Sequence, residues 1–228
     1  MMIGVAADPT YPEATPDLDL LERLGIRIVR CVSMDLQPVH DFVDQCNQRD
    51  IVVWATVAKE SDGYILPGAR LIGLGNEPDS SSPSSWTRTP QQYHDDWNIY
   101  WGTWFAPGKP YEGVPVIIGG LSSGSTQWLH EVWQIGPLQG CSGFDVHPYA
   151  KTALQARDLI NSYKPIVGYN IPAYVSECNF AKKDILYAKS LFQNANVLVM
   201  CHYPWTNVMD NTVAGLKENP DILSLFCA

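Results

Sequence analysis

Short apolar runs rich in β-branched residues recur along the chain, and each is followed by a longer stretch whose apolar residues return every three or four positions. The runs are IGVAA (3–7), IRIVRCVS (26–33), IVVWATV (51–57), RLIGLG (70–75), VPVIIGGLS (114–122), GFDVHPY (143–149), AYVSEC (173–178) and NVLVMCHY (196–203). Near-continuous hydrophobicity in such short runs suits parallel strands covered on both faces. The stretches between them predict helices over 16–25, 38–49, 90–105, 126–135, 152–163 and 182–193, and a last one over 218–226. The first opens on acidic residues and closes on Gly25, as helix ends require. One connection, KESDGYILPGA (59–69), is too short and broken for a helix, which leaves the third helix degenerate.

Strict alternation of strand and helix leaves two architectures, a doubly wound open sheet or a closed eightfold barrel. The dinucleotide-binding form of the open sheet lacks its main support, because no GxGxxG follows the first run, which reads IGVAADPTYP. Eight units in 228 residues average about 28 residues each, small for a barrel but workable. No linker, repeat or low-complexity tract interrupts the series. The expected fold is therefore α/β, a single compact (β/α)8 TIM barrel over residues 1–228.

Composition narrows the function. Hydrophobic residues make up 46% and charged residues 17% of the chain, which excludes disorder. Lys and Arg number 15 against 24 Asp and Glu, a net charge of −9 with no basic run, so no surface is offered to nucleic-acid phosphates. No apolar run approaches the roughly 18 residues of a membrane span. The opening MMIGVAADPTYPEATPDL lacks the basic segment and long apolar stretch of a signal peptide; a leader already removed would leave no trace, so the compartment stays open. The six cysteines (31, 46, 141, 178, 201 and 227) form no CxxC pair. Cys31, Cys178 and Cys201 interrupt apolar runs, where free thiols sit as small hydrophobes.

In such barrels the chemistry sits at the C-terminal ends of the strands. Those ends carry Asp8, Arg30, Trp54, Asn76, Glu77, Ser122, His147, Tyr149, Glu177 and the segment from Tyr203 to Trp205. Glu77 and Glu177 each end an apolar strand, where an uncompensated charge is costly. Two carboxylates facing across a barrel mouth can cleave a glycosidic bond, one protonating the leaving oxygen while the other attacks or activates water.

GLGNEPD (73–79), DVHPY (145–149), VSECN (175–179) and Trp205 together resemble the glycoside hydrolases of clan A, over the whole barrel order. Compact size and the LGNEPD string are most similar to family 128, the small-barrel endo-β-1,3-glucanases, with family 39 next. At the sixth strand VHPY stands in place of the VHWY of family 128. The resemblance implies a retaining, endo-acting β-glycosidase with Glu77 as general acid/base and Glu177 as nucleophile. It also implies that Asn76 binds the sugar 2-hydroxyl, that Arg30 and Tyr149 hold Glu177 ionised, and that Trp205 is an apolar plate for a sugar ring. Glu177, a like charge nearby, would raise Glu77. His147 shares the face of Tyr149 by two-residue alternation. Trp86, in the polar loop DSSSPSSWTRTP, is a second candidate plate, and Trp54 completes the set of supporting residues.

Plainer readings stand beside these. Arg30 could pair with Asp8 or Asp145 instead; Asp145 reads as a buried hydrogen-bond anchor; Trp97, Trp101 and Trp104 fall on one helix face as core, and Trp128 and Trp133 read the same way. Asp145 and His147 could begin a metal site, but only His202 among the other histidines ends a strand, so neither metal nor other cofactor is expected. The expected partner is a polysaccharide or oligosaccharide substrate, and the expected state a monomer. The alternatives are an inactive carbohydrate-binding barrel, a metal-dependent barrel hydrolase, or a glycosidase of another polymer such as xylan or peptidoglycan.

Overall fold

In the computed structural model, which describes residues 1–202 other than 84, 123–125, 151 and 179–181, the apolar runs form eight parallel strands closed in chain order. They are β1 (Met2–Ala6), β2 (Ile28–Val32), β3 (Val52–Val57), β4 (Leu71–Asn76), β5 (Val116–Leu121), β6 (Cys141–Val146), β7 (Ala173–Cys178) and β8 (Val197–His202). The helices are α1 (Leu18–Arg23), α2 (Gln37–Gln48), α3 (Pro90–Tyr100), α4 (Thr126–Ile135), α5 (Ala153–Val167) and α6 (Lys182–Asn194). The fold is a (β/α)8 barrel. Closure comes from β1 pairing with β8, Met2 opposite Val199 through Val5 opposite His202, which leaves these eight strands no free edge. The helix expected over 218–226, together with Tyr203, Trp205 and Cys227, lies outside the described residues.

Alternation along the strands divides the core in two. Ile28, Trp54, Leu71, Ile117, Tyr174, Val199 and Cys201 form one buried cluster, which fills the barrel. Val29, Val53, Ile72, Ile118 and Val175 belong to a second, larger cluster shared with the helices. Between β3 and β4 only a 3-10 turn, Lys59–Ser61, stands where a helix would be. The helix expected over 90–105 is α3 followed by a wider π turn, Trp101–Phe105. There the Trp101 ring lies where a side chain at position 140 would be, and Gly140 leaves it the room. Helix α5 continues through Pro165 to Val167, beyond the end expected at 163. Cys31, Cys46, Cys141, Cys178 and Cys201 are free thiols, and burial raises Cys31 and Cys46 to about 12.

Candidate active site

The C-terminal ends of β2, β4, β6 and β7 bring Arg30, Asn76, Glu77, His147, Tyr149 and Glu177 into one hydrogen-bonded group. Arg30 is 6% exposed and uses three donors at once. Its Nη1 donates to Glu177 Oε1 at 2.7 Å, Nη2 to Asn76 Oδ1 at 2.8 Å and Nε to Thr56 Oγ1 at 3.1 Å. Only the planar fork of arginine spans three such acceptors. Its ion-pair partner is thus Glu177 rather than Asp8 or Asp145. The Tyr149 hydroxyl donates to the other oxygen, Glu177 Oε2. Burial alone would raise the Glu177 carboxyl, but His147, Arg30 and the Tyr149 hydroxyl overrule it and lower it from 4.5 to about 2.

Glu77 follows β4 with φ of 49°, a left-handed conformation that a side chain adopts only when its surroundings impose it. Its N–H donates to the Gly120 carbonyl of β5 at 2.7 Å, which holds that turn. Its Oε1 lies 3.2 Å from His147 Nδ1, and its Oε2 accepts from Ser85 Oγ at 3.0 Å. The hydrogen bond with His147 is the largest influence on Glu77 and, against burial, holds its carboxyl below the usual range. This corrects the expectation that Glu177 would raise it: the like charge does push it up, but the effect of the imidazole is larger. His147 moves the opposite way. Burial lowers it, yet the charge of Glu177, the hydrogen bond with Glu77 and the charge of Asp145 together carry it above its ordinary value.

Backbone irregularities aim these side chains. The β7–β8 ladder shifts register between Val175 and Cys178, which interrupts strict alternation and lets Ser176 and Glu177 both reach the site. At Gly75, φ is +95°, and a Cβ there would press on the Trp86 ring at 3.0 Å. A Cβ at Gly120 would stand 1.9 Å from His147 Nε2, so the imidazole fits only over a glycine. Sequence reasoning missed Thr56, Ser85, Ser176 and Gly120. The inward face of β3 offers a signal for Thr56, but nothing in the polar loop singles out Ser85.

The tryptophans are placed differently from expectation. Trp54 is 0% exposed inside the barrel, packed edge-on against Tyr174, and presents no face to a ligand. Trp86 is also buried. The Arg88 guanidinium covers its ring at 4.1 Å, and Tyr93 and Tyr100 meet it edge-on, so it is no open plate. Trp97 and Trp128 are buried core, while Trp101, Trp104 and Trp133 pack partly buried against it. Trp205 lies outside the described residues. Beside the carboxylates a groove of about 400 Å³ runs past Arg30 and Asn76 to Asp8, Tyr11, Met34 and Glu60. A larger cleft of about 640 Å³ is lined by Ser85 and Trp86, and neither it nor the groove is lined by Glu77 or Glu177. Among the described residues no trio of His, Cys, Asp and Glu stands close enough to hold a metal ion, and no helix is long and apolar enough to cross a membrane.

No protein-family model matches the chain, nor does any curated protein sequence. Solved structures do resemble it. A GH26 β-mannanase from Bacteroides ovatus has a TM-score of 0.61 at 9% identity, over 98% of this chain and 87% of its own. A psychrophilic glycoside hydrolase family 10 endo-β-1,4-xylanase has a TM-score of 0.56 at 11% identity, over 88% and 84%. The 3-dehydroquinate dehydratase of Aquifex aeolicus has 0.52 at 15% identity, over 99% of both chains. Similarity at such identities shows the barrel, and a barrel serves many chemistries.

Proposed function

We propose that this protein is a retaining β-glycoside hydrolase, endo-acting on a β-glucan such as β-1,3-glucan. One observation carries the reading: a single imidazole nitrogen, His147 Nδ1, stands 3.2 Å from Glu77 and 3.8 Å from Glu177, whose surroundings are opposite in kind. Glu177 is held as a carboxylate by Arg30 and Tyr149, which suits a nucleophile. Glu77 shares a proton with His147, which suits an acid/base.

Distance supports retention. The nearest oxygens of the two glutamates can be no farther apart than 3.2 Å and 3.8 Å laid end to end. Most of the range of roughly 6.5–9.5 Å typical of inverting enzymes lies beyond that bound, whereas the roughly 5–5.5 Å of retaining enzymes lies within it. Glu177 attacks the anomeric carbon as Glu77 protonates the departing oxygen; Glu77 then takes a proton from the water that releases the sugar. A substrate that expels water makes the separated charges of Glu77 and His147 costlier, which moves the shared proton from Nδ1 to the glutamate. Asn76, its Oδ1 engaged by Arg30, keeps its amide N–H groups for a sugar hydroxyl in the adjoining groove.

The clan A strings and the barrel shared with a xylanase and a mannanase agree with this reading. The test follows the first product of hydrolysis by NMR across β-1,3-glucan, β-1,4-glucan, xylan and peptidoglycan. A β-configured first product is expected. An inverted product overturns the mechanism, and binding of glycans with no turnover on any of them leaves a carbohydrate-binding barrel instead.

A further inference from the structure

Behind His147, on the side away from both glutamates, runs a second polar chain. His147 Nε2 lies 2.9 Å from Ser176 Oγ, and that hydroxyl donates to Asp145 Oδ2. The pairing of β6 with β7 stops at Asp145 and Tyr174, and the Asp145 side chain takes over, its Oδ1 accepting the Ser176 N–H at 2.8 Å. Asp145, Ser176 and His147 are each no more than 1% exposed. We propose that Asp145 and Ser176 are positioning residues that lock His147 in the tautomer protonated at Nε2, so that the proton used for acid/base work stays between His147 Nδ1 and Glu77. This rests on the glycosidase reading given above.

The argument is a count of hydrogens. A serine hydroxyl has one proton, and here Asp145 takes it. Ser176 Oγ can therefore only accept from the ring, so Nε2 must carry hydrogen. A proton on Nδ1 then makes the ring cationic, and it can pass to Glu77 and leave a neutral imidazole behind. In the other tautomer the neutral ring carries its only proton on Nδ1; giving that to Glu77 would leave an imidazolate, and the acid would be lost. During reaction the proton leaves Glu77 with the departing oxygen and returns from the attacking water, while the hydrogens on Nε2 and Ser176 stay in place.

Among the described residues, the titratable and charged groups facing His147 include Glu77 after β4, Asp145 two residues back on β6, Glu177 on β7, Arg30 on β2 and the Tyr149 hydroxyl nearby. Three carboxylates against one guanidinium keep the imidazole charged above the pH at which a free histidine loses its proton. Burial raises Asp145 itself, opposed by His147, the Ser176 hydrogen bonds and Arg30.

Nitrogen-15 NMR of His147 in the unliganded protein reads the tautomer without any turnover. Wild type should show a neutral ring protonated at Nε2 once the pH exceeds its titration. Ser176→Ala, which keeps the backbone N–H on Asp145, should show a mixture of tautomers. In that variant the basic limb of kcat/KM should move about one pH unit lower, and substrates with poor leaving groups should lose about tenfold while activated aryl glycosides lose less. Ser176→Thr should restore both. An Nδ1-protonated neutral ring in wild type overturns the proposal, and does so whether or not Ser176→Ala folds. So does a Ser176→Ala protein with unchanged tautomer and basic limb. A locked Nε2 tautomer with no turnover on any β-glycan would uphold the lock and overturn the glycosidase reading.

Discussion

Replacing Arg30 by methionine keeps the bulk of the side chain and removes the charge that Glu177 is paired with. Lowering the Glu177 carboxyl from 4.5 to about 2 is equivalent to about 3 kcal/mol of folding stability at neutral pH. Leaving a buried carboxylate without its partner typically costs about 3–5 kcal/mol in all, and the bonds from Arg30 to Asn76 and Thr56 go with it. Arg30→Met should therefore lose about 3–5 kcal/mol in urea melts at neutral pH. The sign of the pH dependence follows from the depressed carboxyl. Its contribution is fully present above about 4.5 and is lost as pH falls toward about 2. By pH 3 only about 1 kcal/mol of it remains, so the gap between wild type and variant should narrow by up to about 2 kcal/mol, with the shares of His147 and Tyr149 persisting in the variant. Adding Glu177→Gln to Arg30→Met should recover much of the neutral-pH loss, since no buried charge is then left unpaired. A loss below about 1 kcal/mol, or one equal at neutral pH and pH 3, would refute the view that Arg30, beside His147 and Tyr149, holds Glu177 ionised.

Glu177→Gln should lower turnover by about 10⁴-fold or more while leaving the melting curve cooperative and polymer binding intact; Glu77→Gln should be impaired less on activated aryl glycosides than on polymer, and equal losses would contradict the assigned roles. The kcat/KM profile should fall on its basic side only above about 6.5, because His147 holds its proton beyond its ordinary value; a fall near pH 5 would contradict this. Gly120→Ala puts a methyl group 1.9 Å from His147 Nε2, so activity should drop at least tenfold and the His147 NMR signals should shift. Trp54→Phe should leave KM unchanged and cost little stability, because the indole N–H it removes is buried without a partner among the described residues; a large rise in KM would return Trp54 to the binding surface.

The barrel was legible because parallel strands covered on both faces leave an unbroken apolar signature, and AYVSEC coincides with β7 residue for residue. Convergence of Asn76, Glu77, His147, Tyr149 and Glu177 on one mouth was legible because each stands at or just past a strand end, where a charged or polar group has few other reasons to be, and Arg30 joins them from two residues before the end of β2. The tryptophans were not, since an indole has the same appearance in sequence whether it stacks on a sugar or fills a core. Trp54 and Trp86 differ from open plates only in what folds over them, Tyr174 in one case and Arg88 in the other. Local charge sums also misled at Glu77: the direction depended on which neighbour came within 3.2 Å, and that is set by the turn at Glu77 and the room left by Gly120.

The seam between β1 and β8 joins residues roughly two hundred positions apart in the chain. Loop closure over that distance has to be completed before the seam contributes anything, so the last step of barrel formation is slow relative to the local strand–helix units. Until β8 is in place, β1 and β7 both present open hydrogen-bonding edges, and their buried-face residues Val5, Tyr174 and Val175 are uncovered. During synthesis β1 emerges before β8 and must wait for the roughly two hundred residues between them. The enclosure that leaves the closed barrel without a free edge therefore leaves the nascent one with two, the exposed edges through which neighbouring chains pair.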